Sequence, residues 1–370
     1  MPGSILGNDV KRVEDPRFLR GEGRFLDDLE VDGVLHLRSV RSTFGHGILN
    51  GVATEDALAV PGVVAVYTSS DLDLKDLPSL GVGRAASRPV IAKDRVRFAG
   101  EIVAVVVADS ARAATDAADL VWPDIDPLPA VTSVAAATGE DAPLLFPEVG
   151  TNVVRVVADE EDDAAFGDAD VVVRATFRNQ KLAPVPLEPN SAMAIPEDDG
   201  SLTLWVGTQN VFGHRGAAAR ALGVERDTIR GRVPDIGGGF GAKFYAYPEQ
   251  VLVAVIAREL DRPVKWIEGR GDNLTSMTHG RAQIQTVELG ARRDGSIVAL
   301  RVNIDQDVGA YPTFGALNPH FTRIMAAGPY RIPHIEFSYR GIVTNTMSTH
   351  AYRGAGRPEA TAYLERAIEL

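Results

Sequence analysis

Residues 235–245 read DIGGGFGAKFY, with Gly237, Gly238, Gly239 and Gly241 set around Phe240. A glycine inside a helix or strand costs roughly 0.5–1 kcal/mol relative to alanine, so no regular element accounts for this run. A strand pattern, DTIRGRVPDI, leads into it, and PEQVLVAVIAREL follows with Pro248 suited to the first turn of a helix. The loop joining them is a shelf of bare main chain. Its successive N–H groups can donate to an oxygen-rich ligand, glycine permits close approach, and Phe240 covers one side of a planar group. A tight strand-to-helix turn with no ligand stays open at this point.

Two phosphate readings fit less well. A P-loop needs glycine before its lysine and Ser or Thr after it, whereas Ala242 precedes Lys243 and Phe244 follows. A dinucleotide fingerprint can be written on Gly237, Gly239 and Ala242, with Glu259 or Asp261 as the ribose acid. That motif opens its helix inside the glycine turn, and here the helix starts only at Pro248. A nicotinamide-dependent dehydrogenase is therefore the weaker alternative.

Around the loop, short alternating runs such as VLHLRSV and GVVAVYT predict strands. SARAATDAADLV predicts a helix capped by Ser110, and VFGHRGAAARALGV one stopped by Gly223. GVGRAASRPV, residues 81–90, reads as a loop. The whole is an α+β chain, with units expected at 1–140 and 169–370 and an acidic linker at 141–168, at whose end the acidic run DEEDDAAFGDAD, residues 159–170, begins. The 50 acidic groups against 38 Lys and Arg give a net charge of −12, which argues against nucleic acid. There is no cysteine, so no disulfide, zinc ribbon or Cys-held iron–sulfur centre lies in this chain. The longest apolar runs, such as IVAVVVA, are too short to span a bilayer, and a cytoplasmic protein is expected.

Two further bends resemble the first. VGTQN sets the amide of Gln209 at a strand end, and AYRGAGRPEA sets Arg353 and Arg357 about bare backbone. His46, His214 and His279 show no ligand spacing and read as structural, while His350 sits beside the Arg353 bend. The last stretch, RPEATAYLERAIEL, has apolar residues at helical spacing up to Leu370 and no capping glycine. It predicts an exposed apolar edge, and with it a second alternative, a non-catalytic fragment that binds a partner chain.

Taken together, TQN, GGGFGAKFYAYPE, RPVKWIEGR, GAY and AYRGAGRPEA resemble the molybdopterin-binding large subunit of the xanthine dehydrogenase, aldehyde oxidase and carbon monoxide dehydrogenase superfamily. RVEDPRFLRGEGRFLDD, VRSTFGHGIL and VRFAGEIVAVVVAD are similar to its N-terminal α/β hammerhead domain. The likeness runs from about residue 9 to Leu370 in the family's order. It implies a hammerhead domain followed by the first part of a molybdopterin-binding domain, as in a truncated, split or fragmentary subunit.

The resemblance further implies oxidative hydroxylation of an aldehyde or N-heterocycle with water as oxygen source. The cofactor would be molybdenum-molybdopterin in its cytosine dinucleotide form, the metal held by the pterin dithiolene and not by protein ligands. Gln209, Gly238, Gly239, Phe240, Gly241 and Arg353 would bind it, and Phe244 and Arg353 would line the substrate pocket. The general-base glutamate would lie beyond Leu370, with Glu188 read as fixing a turn rather than as catalyst. A C-terminal half, a 2Fe-2S small subunit and an FAD medium subunit would be the partners. Phe244 replaces the glutamate of purine oxidisers, and Gly354 the copper-binding cysteine of carbon monoxide oxidisers, so neither substrate is expected.

Overall fold

A computed structural model describes residues 6–79 and 86–370; residues 81–85 of the expected loop lie outside the described residues. The strands of the N-terminal part are β1 (Leu35–Arg41), β2 (Gly47–Ala53), β3 (Val63–Tyr67), β4 (Arg95–Val96), β5 (Ile102–Ala108) and β6 (Trp122–Pro127). Then follow β7 (Val153–Val157), β8 (Val171–Leu182), β9 (Ser191–Pro196), β10 (Leu202–Val206) and β11 (Ile229–Arg232). The last are β12 (Val264–Ile267), β13 (Gly280–Ala291), β14 (Ile297–Gly309) and β15 (His334–Val343). The fold is mixed α/β.

One sheet, ordered β11-β10-β9-β12-β1-β5-β3, carries strands from both expected units. The join is the parallel pairing of β1 with β12, Leu35 opposite Val264. Burial explains why β5, IVAVVVA, is apolar at every position. One of its faces packs into the core with Val251–Ala257 of the helix Pro248–Leu260, and the other faces β2, β6 and the helix Ala111–Ala118. A strand covered on both sides has no use for alternation. Helix Ala111–Ala118 is capped as expected, Ser110 accepting from Ala113 N at 3.1 Å, and Gly223 ends Val211–Leu222 at φ 66°.

A second sheet, β7-β15-β14-β13-β8, lies beyond the first. Its strand β7 comes from the acidic stretch expected as a linker. Asp159 there accepts from Arg323 Nη2 and Phe337 N, and Asp163 from Arg301 Nη1. Asp159 thus pairs with an arginine of the helix Asn318–Ile324 and Asp163 with one of β14, which composition alone could not show.

The C-terminal edge is a second departure. Helix Arg357–Glu369 buries Ala360, Tyr363, Leu364 and Ala367 against β8, β13 and β14. Ile368 and Leu370 stay exposed. The apolar spacing serves the core of the chain itself, and the expectation of an exposed edge over 360–370 is corrected to those two residues.

Candidate functional site

Strand direction builds the site. β10 and β11 run parallel, so their C-terminal ends meet at one edge of the sheet. The bend holding Gln209 follows β10, and the glycine loop follows β11. β9 runs antiparallel to β10 and begins at that same edge, which brings Glu188 there just before Ser191. Ligands gather at such strand ends in α/β folds because the connecting loops converge on them.

The first two bends interlock. Gln209 Oε1 accepts from Gly241 N at 2.8 Å, and Gln209 N donates to Lys243 O at 2.9 Å. The third bend joins through Arg353 N, which donates to Phe240 O at 2.9 Å. The sequence placed these three stretches far apart; the fold makes them one surface.

The glycines serve this packing more than expected. A Cβ on Gly239 would meet Gln209 Oε1 at 2.6 Å, one on Gly241 the Ala351 carbonyl oxygen at 2.7 Å, and one on Gly237 the Glu188 Cβ at 2.5 Å. Each is bare because another bend presses on it from the protein side. The bends also keep unused donors. Among the described residues, Gln209 Nε2 and the N–H groups of Gly238, Gly239 and Phe240 donate to no protein acceptor. Phe240 holds φ 52°, unusual for an aromatic residue, and its ring is exposed, as is Arg353. This donor set suits an oxygen-rich, planar group of negative charge.

Behind the loop lie residues with little sequence signal. Glu188 Oε2 accepts from Gly237 N at 2.8 Å and from Lys243 Nζ at 2.9 Å. Lys243 is wholly buried, and desolvation holds its ammonium below the usual lysine value, with Glu188 opposing the shift. Arg281 donates to Tyr352 O and Arg353 O at 2.8 Å each and pairs with buried Glu359. Glu359 in turn accepts from Gly356 N at 2.8 Å. Arg281 and Ala282 stand at φ 63° and 67°, backbone strain that these contacts over-determine. Only Glu188 among these was singled out from sequence, as a turn-fixing residue, and that is what its contacts show.

His214 bonds Thr208 and Asn210 beside Gln209, and His46 bonds Pro129 O. His350 lines a cavity together with Phe244. The helix Pro248–Leu260 starts beyond the glycine loop, so its N-terminus does not cap Gly237–Gly241 as a dinucleotide fold requires.

Gly241→Ala should separate the bends, since φ 97° and the Ala351 carbonyl both oppose a side chain. We expect a loss of at least about 2 kcal/mol in denaturant melts. Gly271→Ala, where a Cβ meets nothing within 4 Å, should be close to neutral. Equal stability of the two variants would contradict the interlock.

Residues 145–370 match the molybdopterin cofactor-binding domain, and residues 20–129 the aldehyde oxidase and xanthine dehydrogenase a/b hammerhead domain. The large subunit of nicotine 6-hydroxylase from Paenarthrobacter nicotinovorans is 34% identical over 99% of this chain and 46% of its own length. The carbon monoxide dehydrogenase large chain of Afipia carboxidovorans is 35% identical over 98% of this chain and 48% of its own. Among solved structures, quinoline 2-oxidoreductase of Pseudomonas putida 86 superposes with a TM-score of 0.89 at 33% identity, covering 97% of this chain and 48% of that one. The chain spans about half the length of the relatives it matches. With its glycine-lined bends converged and both domain types matched, the chain belongs to the molybdopterin-binding large-subunit family of xanthine dehydrogenases, aldehyde oxidases and carbon monoxide dehydrogenases.

Proposed function

We propose that the converged bends hold molybdopterin, in its cytosine dinucleotide form, as part of a molybdenum hydroxylase acting on an aldehyde or N-heterocycle. The observation that carries this reading is the set of donors without a protein acceptor at exposed Gln209 and residues 238–240, flanked by exposed Phe240 and Arg353. When bound, the cofactor's metal supplies an electrophilic, electron-accepting centre for hydroxylation with oxygen from water.

The chain's own residues do the positioning. Gln209 is fixed through Oε1 to Gly241 N, which aims its free Nε2 outward. Phe240 shields the loop from water on one side, and Arg353 supplies positive charge. Phe244 borders the adjoining substrate space. Glu188 is committed to Gly237 and Lys243, so it is not free to remove a proton in the reaction, and we take that base to come from outside residues 1–370. The relatives' printed names as large subunits and chains, and their greater length, support partners. These are further large-subunit sequence, a 2Fe-2S subunit and an FAD subunit.

Produced with such partners in a host that makes molybdopterin, the protein should contain near-stoichiometric molybdenum by elemental analysis. Gln209→Ala should lower that content while leaving the circular dichroism spectrum unchanged. A correctly folded, metal-free wild-type complex would remove the proposal.

A further inference from the structure

Phe244, Tyr245, Phe314 and His350 form an aromatic wall of a cavity of about 470 Å³. His350 stacks on Phe314 with ring centroids 5.2 Å apart, and Tyr245 approaches His350 at 4.2 Å. Both ring nitrogens of His350 are buried without a hydrogen-bond partner among the described residues. Burial alone pushes its pKa down to about 3, so the imidazole brings hydrogen-bonding capacity to the wall and no charge.

The charge of the cavity is one-sided. Among the described residues, its charged lining residues are Arg88, Arg220 and Arg226, and no Asp or Glu lines it, in a chain with 50 acidic and 38 basic residues. Asp227, next to Arg226, is taken by Arg215. Arg88 is 8% exposed, and its guanidinium lies 5.4 Å from the ring centre of Phe98 and 5.9 Å from that of Tyr311. The buried carboxyl of Glu101 acts on both Arg88 and Arg97, and Asp94 acts on Arg97 as well. Three arginines and no described acid therefore border this aromatic space.

We propose that this cavity selects planar aromatic or heteroaromatic substrates bearing a carboxylate, with Arg88 as the specificity-determining residue for the anionic group. The inference rests on the cofactor reading of the adjoining loops, which makes this cavity the substrate space. A carboxylate can meet a fixed guanidinium bidentately, whereas a neutral amide of the same shape offers it no negative charge. Arg220 and Arg226, both exposed, raise the local potential and draw the anion in.

The full chain is titrated by calorimetry with benzoate and with benzamide as its neutral near-isostere. Wild type should bind benzoate at least about tenfold tighter than benzamide, and Arg88→Gln should abolish the difference. Because Arg88 also packs on Phe98 and Tyr311, the exposed pair Arg220→Gln/Arg226→Gln is measured beside it. That variant should weaken benzoate about threefold and leave benzamide unchanged. Equal wild-type affinity for the two compounds, or binding of neither, overturns the proposal. Molybdenum content is measured separately on the partner-assembled protein. Metal-bearing protein without acid preference overturns only the present inference; acid preference without metal overturns the cofactor reading and with it the substrate role of the cavity, leaving its preference for the acid.

Discussion

Glu188→Ala should destabilise the protein by about 3–5 kcal/mol, the usual result of stripping one partner from a buried ion pair. Lys243 is wholly buried, and Glu188 is its single ion-pair partner among the described residues. The same oxygen also holds Gly237 N. Its loss therefore strands a charge and frees the start of the glycine loop together. Removing the charge as well should repair much of the damage, because a hydrophobic replacement carries no desolvation penalty. Glu188→Ala/Lys243→Met is accordingly expected to recover more than half of the lost stability in denaturant melts. Molybdenum content should stay low in both variants, since the Gly237 contact is absent from each. A single variant as stable as wild type, or a double variant no better than the single, would show that the pair does not brace the loop.

Acid should weaken this region through two histidines. Burial pushes His350 down to about 3, and burial helped by Lys181 pushes His279 down to about 4. Both therefore have folded-state values below the unfolded value near 6.5. Above about pH 6.5 neither state binds the proton and the full stability is present; as pH falls toward 4 the unfolded chain takes up protons that the folded chain refuses. At pH 4.5 the cost is about 2–3 kcal/mol for each histidine. The two are joined by backbone, His350 N donating to His279 O at 2.6 Å, so the third bend should loosen first. His350→Gln, which cannot titrate, should lose roughly half as much stability as wild type between pH 7 and pH 4.5. Identical pH dependence in the two proteins would rule out His350 as a source.

Much of the fold was legible because local signals and tertiary needs agreed. Ser110, Gly223 and Pro248 punctuate helices where chemistry demands it, and all three stand at helix ends. The run IVAVVVA was readable as an apolar strand, though not its place between two packed layers. The Gln209, glycine and Arg353 stretches stood out by their amide, bare backbone and guanidinium, and they also match a family's ordered motifs. Arg281, Glu359 and Lys243 carried little signal, since a charged residue looks solvated until its buried partner is known. The pairing of Asp159 and Asp163 with Arg323 and Arg301 was not legible, since those partners come from a helix and a strand far along the chain, while residues 160–164 stay exposed.

Composition and motif order were enough to exclude cysteine-held metals, to mark the glycine loop as a place where backbone must lie against something, and to name the family. What the loop lies against came only from the folded chain. Gly237, Gly239 and Gly241 are bare because Glu188, Gln209 and Ala351 press into them, and the sheet's parallel β10–β11 pair supplies that meeting. Contacts between residues far apart in the chain depend on strand order and direction, and no local propensity encodes either.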